Sequence, residues 1–158
     1  MQEVRALSFK QPFADLIIYH NKIETRTWNT KYRGLVLICS SKSSPTIADW
    51  VHFYGAYQAE RIYNLLSEDP NLKDHNRGHA LAIATLADSR PMKPEDANQC
   101  FVEYNPALYC HIYKDVQPIE PFPWTGAKGW RKLTEQQIRH INNLDGSPFF
   151  FPYFSPFK

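Results

Sequence analysis

Two hydrophobic periods alternate along the first third of this chain. Val4–Phe9 alternates loosely and is closed by Lys10-Gln11-Pro12, which predicts a first strand ending just ahead of a helix. Pro12 suits the first turn of a helix, where its missing N–H costs nothing, and Phe13, Leu16 and Ile17 then recur at helical spacing through Tyr19. Ile23–Trp28 returns to a period of two. Glu24, Arg26 and Trp28 fall on one face of that strand, with Ile23, Thr25 and Thr27 on the other. Asn29–Gly34 is polar and ends in glycine, as a hairpin connection should. Gly34–Ser40 (GLVLICS) is apolar almost throughout, which predicts a central strand buried on both faces.

Farther on, Ser44 before Pro45 makes a good helix N-cap and first position. Ile47, Trp50, Val51, Tyr54, Ile62, Leu65 and Leu66 then fit one helical face interrupted by Gly55, so the pattern is one long helix or two helices either side of a kink. Its aromatic residues (Trp50, Phe53, Tyr54, Tyr57, Tyr63) read as core. Ser67–Arg77 reads as a surface loop, Gly78–Ala87 as a strand, Pro94–Asp96 as a helix start or turn, and Leu108–Val116 as an alternating strand. Gln117–Trp124 holds three prolines and is expected to be extended and irregular. A turn at Gly126–Gly129, a short strand at Trp130–Leu133 and a helix over Thr134–Leu144 follow, the last opened by a capping-box pair, Thr134 and Gln137.

These elements predict a single α+β domain over residues 1–146. The tail 147–158 (SPFFFPYFSPFK) carries five of the ten phenylalanines; so apolar a segment is expected to wrap back over the domain, the alternative being docking to another subunit.

Composition narrows the class. At 158 residues with 43% hydrophobic and 22% charged content, the chain can bury a sizeable core, and no apolar run approaches the length that crosses a bilayer. MQEVRALSFK lacks the basic start and long apolar run of a secretory leader. Cys39, Cys100 and Cys110 are odd in number and lack CxxC spacing, which argues against a disulfide framework or a structural zinc site and fits a reducing cytoplasm. There is no Walker loop, GxGxxG, GxSxG or HExxH, and the six histidines form no helical pair around a carboxylate, so neither metal nor cofactor is expected. His79 and His111 read as hydrogen-bonded structural residues.

Charge changes the picture more than composition does. The net charge is only +2, yet residues 1–45 carry +4 and the remaining 113 carry −2. A basic first third is the footprint of a phosphate-facing surface. Within it, Lys10, Lys22, Glu24, Arg26 and Lys42 stand near the hydroxyls of Thr25, Ser40 and Ser41. Three chemistries fit that set. Cations can hold phosphate while a carboxylate accepts from a base or ribose; a desolvated lysine can activate a threonine or a water; or Glu24 simply makes a surface ion pair with Lys22 or Arg26.

The runs Leu7–Ala14 (LSFKQPFA), Glu24–Trp28 (ETRTW), Lys31–Gly34 (KYRG) and Ile38–Lys42 (ICSSK) resemble the activating signal cointegrator homology (ASCH) family. Gly78–Asp88 and Gly126–Leu133 are similar to its later strand and its glycine turn with tryptophan. The likeness is weak between 45 and 77 and does not reach the tail. One departure stands out: the family pattern Gly-x-Lys-x-x-Glu-x-Arg is met by Glu24 and Arg26, but Lys22 lies two residues before Glu24 instead of three, and no glycine precedes it. Strand alternation still puts Lys22 on the Glu24 and Arg26 face.

The resemblance implies a PUA-like fold, a mixed and mostly antiparallel β-barrel flanked by α-helices, with a cleft that binds RNA or a nucleotide-like ligand. The residues expected there are Lys10, Gln11, Lys22, Glu24, Arg26 and Lys42, with Ser40 and Ser41 beside them. Trp28 or Trp124 would stack on a base, and Asp88 at a strand end would supply a further carboxylate. Some small family members are amidohydrolases of acetylated cytidine, which implies Lys22, Glu24 and Thr25 as a catalytic set; others are nucleases. By alternation Thr25 points away from Glu24. A third reading is an interaction domain that uses the Phe-rich tail.

Overall fold

The computed structural model describes residues 2–43, 45–72 and 76–151. Six strands, β1 (Val4–Phe9), β2 (Glu24–Arg26), β3 (Gly34–Ser40), β4 (His79–Pro91), β5 (Tyr109–Pro123) and β6 (Arg131–Lys132), form one sheet. Its order is β2-β5-β4-β3-β1-β6. Among the described residues five α-helices accompany it: α1 (Phe13–His20), α2 (Ile47–Tyr54), α3 (Ala56–Glu68), α4 (Ala97–Cys100) and α5 (Glu135–Arg139). Only β1 and β3 pair in parallel; every other neighbouring pair is antiparallel. The sheet curls into a half-barrel with β2 and β6 at its edges, mixed and mostly antiparallel as expected.

β3 takes the central place its apolar run predicts. Leu35, Leu37 and Cys39 pack on one side with Val4, Ala6, Ile83 and Ile119. Val36 and Ile38 pack on the other with Leu7, Phe9, Ala82 and Leu86, against Ala14 and Ile17 of α1. With β1 and β4 on its two edges, β3 has no edge left for β2. The expected hairpin over Asn29–Gly34 therefore does not form, and β2 crosses to β5, where Glu24 pairs with His111, Thr25 with Cys110 and Arg26 with Tyr109. The intervening turn is held by its own side chains: Tyr32 Oη donates to the Leu35 carbonyl at 2.7 Å, and Arg33 donates to the carbonyls of Thr30 and Tyr32.

Thr46 caps α2, exchanging hydrogen bonds with Asp49 in a capping box. The expected cap, Ser44, lies outside the described residues. Gly55 breaks the helical run at φ 90°, ψ 151°, a conformation open essentially only to glycine. The aromatic residues divide across this break. Trp50 joins Phe13, Leu16 and Ile62 in a core beneath α2 and α3, and Tyr54 packs edge-on against Phe13 at 4.6 Å. Phe53, Tyr57 and Tyr63 are each more than half exposed, contrary to the core reading, because Trp50 and Tyr54, one turn apart, occupy the inward stripe of α2, and Gln58, Ala59 and Ile62 that of α3.

Three boundaries also shift. α3 runs into the expected 67–77 loop as far as Glu68, and Pro70–Leu72 forms a 3-10 turn that buries Leu72. β5 continues through the prolines to Pro123, in bulged register with β4. Past His111 it has no β2 partner, so a proline there can turn its missing N–H to the open edge. The last helix spans only Glu135–Arg139, with the predicted Thr134 and Gln137 box at its start. Phe149 then packs with Ile141 and Trp124, while Phe150 stands exposed. The rest of the tail, 152–158, lies outside the described residues.

Candidate functional site

A cleft of about 500 Å³ opens where the end of β1, the start of α1 and β2 meet. Its floor is an ion cluster. Lys22 Nζ donates to Glu24 Oε1 at 2.9 Å and to the Ile23 carbonyl at 3.0 Å, and it lies 4.7 Å from the centre of the Phe13 ring. The second carboxylate oxygen of Glu24 meets Arg26 Nη2 at 3.2 Å. Arg26 Nη2 also donates to the Ser8 carbonyl at 2.9 Å, and its guanidinium packs over Phe9 at 4.9 Å. The Lys22 side chain is only 1% exposed and that of Glu24 10%, while Arg26 keeps 23%. The lysine is therefore structural to the floor, and the arginine presents charge to the opening.

Burial alone pushes the Glu24 carboxyl up, but the Lys22 and Arg26 cations, with the Lys22 and Thr25 hydrogen bonds, outweigh it and hold it below the usual glutamate range. Glu24 is thus a fixed anion pinned between two cations. Thr25 lines the cleft beside it, and its backbone N–H donates to Glu24 Oε1 at 3.2 Å.

The walls add what sequence reasoning missed. Phe13 and Tyr54 form one apolar side, with Val102 beside them. Opposite lies the turn Ala127-Lys128-Gly129. Gly126 lets this turn approach: a Cβ there would stand 2.5 Å from Ser8 Oγ. The turn carries Lys128 to the cleft, so Lys10, Lys22, Arg26 and Lys128 surround a single carboxylate, Glu24. The signal available in sequence was a lysine between glycines, read there only as a turn. Trp28 closes the far end, its ring edge-on to His111 at 4.7 Å and to Trp130 at 5.7 Å.

Lys10, Lys22, Glu24, Thr25, Arg26, Trp28 and Ser41 thus come together at one cleft. Five other candidates stand elsewhere. Gln11 accepts from the Asp15 N–H at 3.2 Å inside α1. Ser40 is buried and donates to the carbonyls of Asn76 and His79, and the Lys42 side chain lies against Gly78. Asp88 meets Arg33 at 3.5 Å. Trp124 lines a second cleft, of about 540 Å³, with Phe122, Arg131, Gln137 and His140. Of residues 40–42 Ser41 alone lines the cleft, and Trp124, directly after β5, lines the second one.

His111 is fully buried behind the cluster, and its Nε2 donates to the Trp28 carbonyl at 3.0 Å. Burial pushes this imidazole below its ordinary value against the opposing pull of the carbonyl. A histidine neutral in the fold but chargeable when unfolded makes stability fall as pH drops. The loss is expected to begin near about pH 6.5, at up to about 1.4 kcal/mol per pH unit, until the folded-state value is reached. A second loss, from Glu24 and the Arg90-bonded Asp96, both depressed carboxyls, begins only below about pH 4.5. Urea unfolding from about pH 2 to about pH 8 resolves the two limbs, and His111→Gln is expected to flatten the upper one alone.

Among the described residues no group of three or more His, Cys, Asp or Glu side chains is placed to hold a metal, and no helix is long and apolar enough to cross a membrane. All three cysteines are buried and unpaired by disulfides. No family model matches this chain, and no curated protein matches it either.

Proposed function

We infer that this chain is a PUA-like domain of the ASCH type that binds RNA or a nucleotide-like ligand in the Arg26 cleft. The observation that carries the reading is the charge pattern: four cationic side chains around one pinned carboxylate, with Trp28, Phe13 and Tyr54 on the walls. Arg26, Lys10 and Lys128 engage phosphate. Glu24 holds the Arg26 guanidinium at an angle open to the cleft and is itself an acceptor for a base or ribose donor. The aromatic walls favour a flat ring over an aliphatic one.

Counterion release tests it. Each phosphate contact on a single strand contributes about 0.7 to the slope of log affinity against log salt, so two or three contacts are expected to give a slope of about −1.4 to −2.1. Titrations of short single-stranded RNA between about 50 and 300 mM salt, around physiological ionic strength, measure that slope. A flat response overturns the phosphate assignment.

One observation favours a second reading. Lys22, Glu24 and Thr25 line the same cleft, the set expected of an amidohydrolase of acetylated cytidine. Such an enzyme adds water across the amide to give cytidine and acetate. Acetate release from acetylated cytidine, abolished in Thr25→Ala, supports it; no release while RNA binding persists discards it.

A further inference from the structure

The Arg26 cleft does not end at Lys10. Lys10 and Tyr54 also line a smaller groove of about 260 Å³, together with Ser43, Pro45 and, from α2, Asp49 and Phe53. The two spaces share those side chains as a ridge. Their floors are joined as well: Ser41, at the main cleft, and Ser43, in the groove, are linked by a hydrogen bond of 2.9 Å between their hydroxyls. Within this lining Phe53 is 64% exposed, so its ring face is open to a ligand. Its ring leans on His52 at 4.9 Å and on Tyr54 at 6.2 Å, so it is a braced surface.

We propose that this groove is a second nucleotide subsite, which makes the preferred ligand a single-stranded oligoribonucleotide and not a mononucleotide. The inference rests on the nucleotide reading of the main cleft. Charge fixes the order of groups along the path. Lys10 at the ridge takes the phosphate that links the two nucleotides, because a cation shared by two spaces is the favourable crossing point for a backbone. Asp49 lines the same groove as Lys10, its carboxylate committed to Thr46, and it disfavours a second phosphate there. What suits the smaller groove is therefore a base, stacked on Phe53. A sequence-tolerant contact follows, since every base offers a flat face.

Length dependence tests this. The probes are the 5′-monophosphates of adenosine, cytidine and uridine and the matching tetraribonucleotides, titrated against the wild-type chain and Phe53→Ala. The tetramer of the best-bound base is expected to bind at least about tenfold more tightly than its monophosphate, within the roughly 5- to 150-fold range of one stacked base. Phe53→Ala is expected to remove most of that gain and leave the monophosphate within twofold; the ring is exposed, so the variant folds. Monophosphate binding with no gain on lengthening overturns the second subsite while the main cleft stands. A gain that survives Phe53→Ala also overturns it, because the strand then leaves by another route. Binding of neither probe overturns both readings together.

Discussion

Glu24→Ala is expected to cost about 3–5 kcal/mol of folding stability, the cost of leaving a buried charge without its partner. In a domain of this size that is a fall in Tm of roughly 6–20 °C. The loss does not come from the carboxylate's own contacts alone. Lys22, with its side chain 1% exposed, would be left with the Ile23 carbonyl and the Phe13 face as its neighbours. Lys22→Met is expected to cost less, because Glu24 then keeps Arg26 and the Thr25 N–H. Combining Lys22→Met with Glu24→Ala should be less damaging than the sum of the two, and thermal melts of the four proteins give the coupling directly. If Glu24→Ala melts within 1–2 °C of the wild type (about half a kcal/mol or less), the cluster is hydrated and the cleft floor is not a desolvated one.

How much of this was legible beforehand depended on range. β1, α1 and β3 could be read from local periodicity, since an apolar run such as Leu35–Cys39 has few places to go except the middle of a sheet. The Thr134 and Gln137 box was likewise local, two side chains three residues apart satisfying each other's backbone. The partner of β2 was not local. Asn29–Gly34 has hairpin composition, and only competition for the edges of β3, decided by strands as distant as β4, sends β2 to β5. Edge assignment is a property of the whole sheet, and a six-residue turn carries no information about it.

The site divides along the same line. Lys22, Glu24 and Arg26 are neighbours in sequence, so alternation could gather them, and their mutual distances follow from a strand's pitch. Lys128 lies a hundred residues away and reaches the cleft only because Gly126 admits a close approach to Ser8. Trp124, two residues before that glycine, lines a different cleft. Phe53 was assigned to the core by composition. Helical geometry puts Trp50 and Tyr54 on the inward stripe of α2 and leaves Phe53 outside it.

Arg26 and Lys128 separate binding from folding. Lys128 is exposed on its turn, so Lys128→Ala is expected to leave stability within about 0.5 kcal/mol while reducing the salt slope of RNA binding by about 0.7. Arg26→Ala removes a guanidinium that bridges Glu24 and the Ser8 carbonyl, and the expected loss of RNA affinity is about 10- to 100-fold, that of a charge-assisted contact to phosphate. Arg26→Lys is not expected to rescue it. An ammonium can keep the charge, but it cannot hold Glu24, the Ser8 carbonyl and the Phe9 face at once while turning a further N–H to the ligand. Fluorescence anisotropy with one short RNA at two salt concentrations ranks the three variants. If Arg26→Lys binds as the wild type does, only charge matters at this position, and the cleft selects its ligand by field alone and not by the fork geometry of the guanidinium.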